Sequence, residues 1–214
     1  MKIDVKGSIV PNDDAWIYEL FGISHVAPAE VIKKLEEADG ESVDIYINSG
    51  GGDVFAGSEI YSAIREYEGD VTIHVVGFCA SAASVIAMAG YSEMSPTAQL
   101  MVHNVSMWEG GDYHVHDIAS EILQTANRAI AAAYVDKSGM SMEEALDMMD
   151  RETWLTAEEA VDLGLINVVA QEKQGNARLV ASFGSVLPAK VLDEYRARKI
   201  ELQQQIDSLK NMEV

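Results

Sequence analysis

The residues best suited to chemistry are a serine, a histidine and two acids: Ser81, His103, Asp150 and Glu152. A serine hydroxyl is a weak nucleophile until a base takes its proton, and an imidazole base works best when a carboxylate orients it. Ser81 stands in Gly77-Phe78-Cys79-Ala80-Ser81-Ala82-Ala83-Ser84, after the β-branched run Val71 to Val76 and ahead of a small-residue apolar helix. The start of a helix exposes unpaired backbone N–H groups, which suit a developing oxyanion. The same pattern also describes a plain N-cap serine in a packed core. Ser84, nearly one helical turn on, reads as helix packing.

Of the five histidines, His74 sits inside an apolar strand and reads as core or wall. His114 and His116 follow a glycine-rich loop and read as exposed. With Asp112 and Asp117 they could ligate a metal, but in such a loop a solvated role fits better. His103 closes the strand Gln99–His103. No cysteine–histidine cluster has zinc spacing and no dinucleotide fingerprint occurs, so neither metal nor cofactor is expected.

The elements that must position these groups alternate. Met1 to Val10 reads as a strand and Ala15 to Phe21 as a helix ending at Gly22. Pro28 opens a second helix, with Val31, Ile32, Leu35 and Ala38 on one face. Ser42 to Asn48 is a strand that runs into Ser49-Gly50-Gly51-Gly52-Asp53. Three glycines there permit positive φ and close backbone approach, as a tight turn or as a cradle for a substrate strand. A helix from Val54 to Tyr67, strand Val71–Val76 and the Ser81 helix follow. Strand, helix, strand, helix with short links predicts a mainly parallel sheet. Sites in such sheets form at the carboxyl ends of the strands, which would gather the glycine turn, Ser81 and His103. A long helix is expected from Val115 to Ser138. Capping boxes at Ser141/Glu144 and Thr156/Glu159 start two short helices. Asp150 to Leu155 reads as an extended link, and Leu165 to Val169 as a last strand. Residues 171–187 read as a linker or surface segment. Residues 188–214 read as a C-terminal amphipathic helix, with Leu192, Tyr195, Leu202, Ile206 and Leu209 along one seam broken by Lys199.

The 214 residues suffice for one domain with an appendage, and the composition is ordinary for a globular protein. The net charge of −20 argues against nucleic acid as a partner. From Leu187 onward five basic residues balance five acidic ones, so the first 186 carry 10 basic against 30 acidic. No apolar run is long enough for a transmembrane span, no signal peptide is visible, and the single Cys79 forbids an internal disulfide. A cytoplasmic protein is the expectation.

Four segments resemble the Clp protease proteolytic subunit in the right order. Ile47 to Gly57 is similar to its glycine-turn motif and Gly77 to Ala82 to its nucleophile motif. Met101-Val102-His103 is similar to its histidine motif, and Trp154 to Ala160 through Gly164-Leu165-Ile166 to the segment after its catalytic acid. The likeness covers residues 1–170, and its wording is nearer to the phage and prophage branch, whose members are thought to trim capsid or scaffold protein during head maturation. The resemblance implies a serine peptidase in a crotonase-like spiral of ββα units, assembled as heptameric or tetradecameric rings through a long helix-hairpin arm. Ser81 would attack and His103 would act as base and then acid. The N–H groups of Gly52 and Ala82 would form the oxyanion hole. Gly50, Gly51 and Asn104 would hold the substrate strand, with no membrane involved. Glu152 stands where the family carries aspartate, and Asp150 is the alternative acid. The family's N-terminal pore-loop segment is not seen before strand one, which puts an unfoldase partner in doubt. Two other readings remain: a crotonase-fold enzyme acting on an acyl-CoA thioester, and a ring-forming assembly factor without activity.

Overall fold

The computed structural model describes residues 1–171. Its organising strand is β3 (Val43–Gly52), flanked by β1 (Lys2–Ile9) on one side and β4 (Val71–Ala80) on the other, both parallel to it. The sheet runs β2-β1-β3-β4-β5-β8, with β2 His25–Val26, β5 Tyr91–Met94 and β8 Val168–Val169. Strand β4 is long enough to serve two neighbours. Its residues 72–75 pair with β5, and Phe78 to Ala80 pair with β6 (Gln99–Val102). The only antiparallel pairing among the described residues joins β6 to β7 (Thr153–Leu155).

Alternation sorts the strands into two faces. Ile3, Val5, Ile45, Ile47, Ile73 and Val75 are buried under the helices. The opposite face carries Asp4, Asp44, Tyr46 and His74. His74 is therefore not a core residue. It stacks on Tyr46 and its Nε2 lies 2.8 Å from Asp44 Oδ1.

Helix α1 (Ala15–Leu20) is short. Helix α2 (Pro28–Ala38) begins at its proline and ends at Asp39 in the left-handed region. Asp53 caps α3 (Val54–Glu66) by accepting from the Ala56 N–H. Helix α4 (Ala82–Ala87) is a turn and a half, wholly buried. The longest helix, α5 (Tyr113–Ser138), is capped by Asp112 and closed by Gly139 at φ 78°. It packs against α6 (Met142–Asp150), and α7 (Ala157–Asp162) follows β7. Both expected capping boxes form.

The sequence expectations fail at strand ends. The strand expected over Ser42–Asn48 continues through Gly52, because Gly51 and Gly52 still pair with Ser8 and Ile9. The strand expected over Val71–Val76 runs to Ala80. Strand β5 was not anticipated, and the link Asp150–Leu155 contains β7. The final strand is shorter than Leu165–Val169. Apart from residue 171, the linker at 171–187 and the helix at 188–214 lie outside the described residues. No described helix is long and apolar enough to cross a membrane.

Candidate active site

The two parallel strands that flank Ser81 deliver it to the sheet edge. Its N–H donates to Met101 O of β6 at 3.0 Å, and its backbone stands at φ 56°, ψ −129°. A non-glycine residue in this region carries about 1–3 kcal/mol of strain and persists only when its surroundings hold it there. Here they do. The Ser81 carbonyl accepts from the Ser84 N–H at 2.9 Å and from the Ser84 hydroxyl at 2.6 Å. With its proton committed to that carbonyl, Ser84 Oγ accepts from the Tyr134 hydroxyl at 2.8 Å. Ser84 is fully buried and supports the Ser81 backbone, out of reach of a substrate. The Ser81 side chain caps nothing, so the plain N-cap reading fails. Six residues of α4 make a weak dipole, so the donor at its start is the Ala82 amide itself.

The glycine turn reaches the same place from β3. A methyl on Gly51, at φ 88°, would lie 2.6 Å from Ala80 O and 2.7 Å from Ser81 Cβ. A methyl on Gly52, at φ 151°, would lie 2.1 Å from Ile9 O. No side chain fits at either position. Ser49 fixes the turn from below: its hydroxyl donates to Gly7 O at 2.6 Å and accepts from the Gly51 N–H at 3.0 Å.

Ser81, Ala82, Gly52, His103 and Asn104 line one small cleft of about 60 Å³. Gly50 and Gly51 belong to the turn beside it but do not line it. No hydrogen bond joins the Ser81 hydroxyl to His103 among the described residues. The chain after His103 is held by two clamps. Val105 N–H donates to Asn127 Oδ1 at 2.8 Å, and Asn104 Nδ2 donates to Asp150 Oδ1 at 2.7 Å. Neither Asp150 nor Glu152 lines the cleft, and both are exposed. Glu152 stands at φ 49° just before β7. The β6–β7 register ends with Val102 opposite Thr153, so His103 and Glu152 are the residues that leave the two strands at that end.

Sequence reasoning missed Asn127, Ile130 and Tyr134, all on α5. Their spacing of three and four places them on one helix face, and that spacing was the available signal. Burial pushes the Tyr134 phenol up, with a smaller downward pull from its bond to Ser84. Burial likewise pushes up the Cys79 thiol. Asp112, for which a solvated role fits better than a loop metal site with His114 and His116, caps α5 by accepting from the His114 and Val115 N–H groups. No group of three or more metal-ligating side chains is assembled among the described residues.

Fold and cleft together define an α/β protein of the ClpP-like class, with a mainly parallel sheet that carries a strained serine at its edge. The solved structure of a ClpP1 mutant from Listeria monocytogenes superposes with a TM-score of 0.65 at 26% identity, covering 80% of this chain and 92% of that one. The profile described as Clp protease matches residues 25–173. The ATP-dependent Clp protease proteolytic subunit 1 of Chlamydia abortus is 33% identical over 157 residues, 68% of this chain and 80% of that protein. The ATP-dependent Clp protease proteolytic subunit of Bacteroides fragilis is 32% identical over 137 residues, 63% of this chain and 66% of that protein. The chain belongs to the Clp protease family of serine-type peptidases.

Proposed function

We propose that this protein is a serine endopeptidase of the ClpP type that cleaves capsid or scaffold protein during phage head maturation. The observation that carries the peptidase reading is the shared cleft. A serine in a strained turn, a histidine and two main-chain segments meet in it from three separate strand ends.

In this reading an extended substrate lies along the glycine turn at Gly50 and Gly51 on one side and Asn104 on the other, paired through its backbone. Ser81 Oγ attacks the scissile carbonyl carbon while His103 takes the hydroxyl proton. The oxyanion is held by the N–H groups of Gly52 and Ala82, which are worth about 2.7–4 kcal/mol each when well placed. Collapse breaks the C–N bond, and His103 returns the proton to the leaving amine. Water, deprotonated by His103, then releases the acyl group from Ser81. Glu152 orients the imidazole, and Asp150 anchors the segment through Asn104. No cofactor takes part.

The protein works as a homo-oligomer of heptameric or tetradecameric rings. Helix α5 supports this, since Ile118 and Ile122 lie more than half exposed beside Phe55 in an apolar depression. The phage assignment rests on the wording of the motifs, and no unfoldase is part of the reading.

The test is labelling with a fluorophosphonate, followed by incubation with capsid and scaffold proteins. The expected result is labelling of wild type but not of Ser81→Ala, with capsid or scaffold cut only by wild type. Equal labelling of the two would remove the peptidase reading. Labelling without cleavage would remove the substrate assignment.

A further inference from the structure

His103 stands on a short arch with two feet. One foot is Val102, the last residue of β6, fully buried and paired with Thr153 of β7. The other is Val105, half-buried against the core. Beyond His103 the ladder stops. Among the described residues, no backbone–backbone hydrogen bond holds residues 104–110. Two side chains from the helices take its place. Asp150 of α6 accepts from the Asn104 side-chain amide, which secures a side chain and leaves the main chain free. Asn127 of α5 holds the main chain itself, accepting from the Val105 N–H at 2.8 Å.

Helix α5 also supports the nucleophile. Tyr134, seven residues after Asn127, bonds to Ser84 Oγ, which donates to the Ser81 carbonyl. Seven residues are two turns, about 10 Å along the axis, so both groups project from one helix face. Ile130 lies between them and lines the cleft. One face of one helix therefore grips the backbone of Ser81 at one end and the backbone beyond His103 at the other. Strand pairing fixes Ser81 and Val102; the second foot of the arch is fixed by Asn127.

We propose that Asn127 is a positioning residue for His103, acting through the Val105 amide. It does not line the cleft, so it touches neither the reacting atoms nor the bond to be cut. The inference rests on the reading of Ser81 as nucleophile and His103 as base. Without the Asn127 acceptor, the Val105 N–H must turn to water, and the foot of the arch moves with it. A shift of about 1 Å in a reacting group can cost ~10²-fold in rate.

The experiment compares wild type with Asn127→Ala, Asn127→Leu and Asn127→Asp. Alanine and leucine both remove the acceptor, the first without bulk and the second with it, whereas aspartate keeps it. Position 127 is a half-buried helix site, where alanine is the best helix former, so the fold should survive. The readouts are the rate constant of fluorophosphonate labelling at Ser81, kcat and KM for a peptide, and the folded fraction from thermal melts. Asn127→Ala and Asn127→Leu should label at least about ten-fold more slowly and lose kcat by a similar factor, with KM little changed. Asn127→Asp should label close to the wild-type rate. A merely structural role would lower the folded fraction and leave the rate per folded molecule where it was. An unchanged rate per folded molecule in the alanine and leucine variants overturns the inference and leaves the peptidase reading standing. So does an equal loss in all three variants, because the acceptor would then not be what matters. Absence of labelling in wild type removes the peptidase reading, and this inference with it.

Discussion

Asn104 Nδ2 donates to Asp150 Oδ1 at 2.7 Å, tying the residue after His103 to the last residue of α6. One of the two candidate acids is thus already engaged by a neutral amide. Glu152 forms no such side-chain bond among the described residues, and it directly precedes β7, whose Thr153 pairs with Val102 beside His103. Glu152→Gln should therefore lower kcat by about 10²-fold or more, in the direction known for the acid of a triad. Asp150→Asn should cost less than about ten-fold, the scale of one hydrogen bond. Steady-state hydrolysis of a peptide by the two variants decides between them; equal losses would return Asp150 to the role.

The approach of the glycine turn to Ser81 leaves no space for a methyl group. Gly51→Ala should destabilise the fold by about 2–4 kcal/mol, because it combines a left-handed backbone with a clash against Ala80 and Ser81. Urea denaturation measures this. Fluorophosphonate labelling of the surviving folded fraction should fall as well if Ser81 is the proposed nucleophile, because the turn can make room only by moving Ser81.

Stability should decline in alkali. The Tyr134 phenol is pushed above its ordinary 10.0 by burial, so the unfolded chain loses this proton first. Between the unfolded and folded values the unfolded state holds fewer protons, and the free energy of unfolding drops as pH rises. The contribution is whole below pH ~10 and is lost above it, by up to ~1.4 kcal/mol per pH unit. Cys79 adds the same slope from its ordinary 9.0 upward. Denaturation midpoints against pH should bend downward near 9, and Tyr134→Phe should flatten the part above 10.

Charge placed in the apolar depression on α5 should weaken assembly. Ile122→Glu puts a carboxylate beside Ile118 and Phe55, where ring contacts are proposed. Sedimentation velocity should show a smaller species than wild type at equal concentration, with unchanged circular dichroism.

The motifs carried much of this site because they depend on local chemistry. The capping boxes at Ser141 and Thr156, the glycine turn and the histidine at the end of β6 are short-range patterns that tertiary structure had no reason to override. What stayed hidden was non-local. Strand β5, Tyr91–Met94, is four residues long and gains its pairing from β4 and β8, which no window around it reveals. Strand β7 exists because Val102 and Met101 face Thr153 and Trp154 across some fifty residues of chain. His74 lies in a β-branched run that suggests burial, yet the register turns it to the face of Asp44 and Tyr46. Ser84 and Tyr134 meet across two helices, and neither residue type announces the other.

Ser49 shows how far the constraint on this site extends. It does no chemistry, yet its hydroxyl stitches Gly7 of the first strand to Gly51 of the turn, and it is almost wholly enclosed. A saturation library scored for activity should find position 49 nearly as intolerant as position 81, with threonine the mildest replacement and alanine a costly one. Ancestry-blind design that keeps only the reacting groups would overlook it and would lose the enzyme at its first strand.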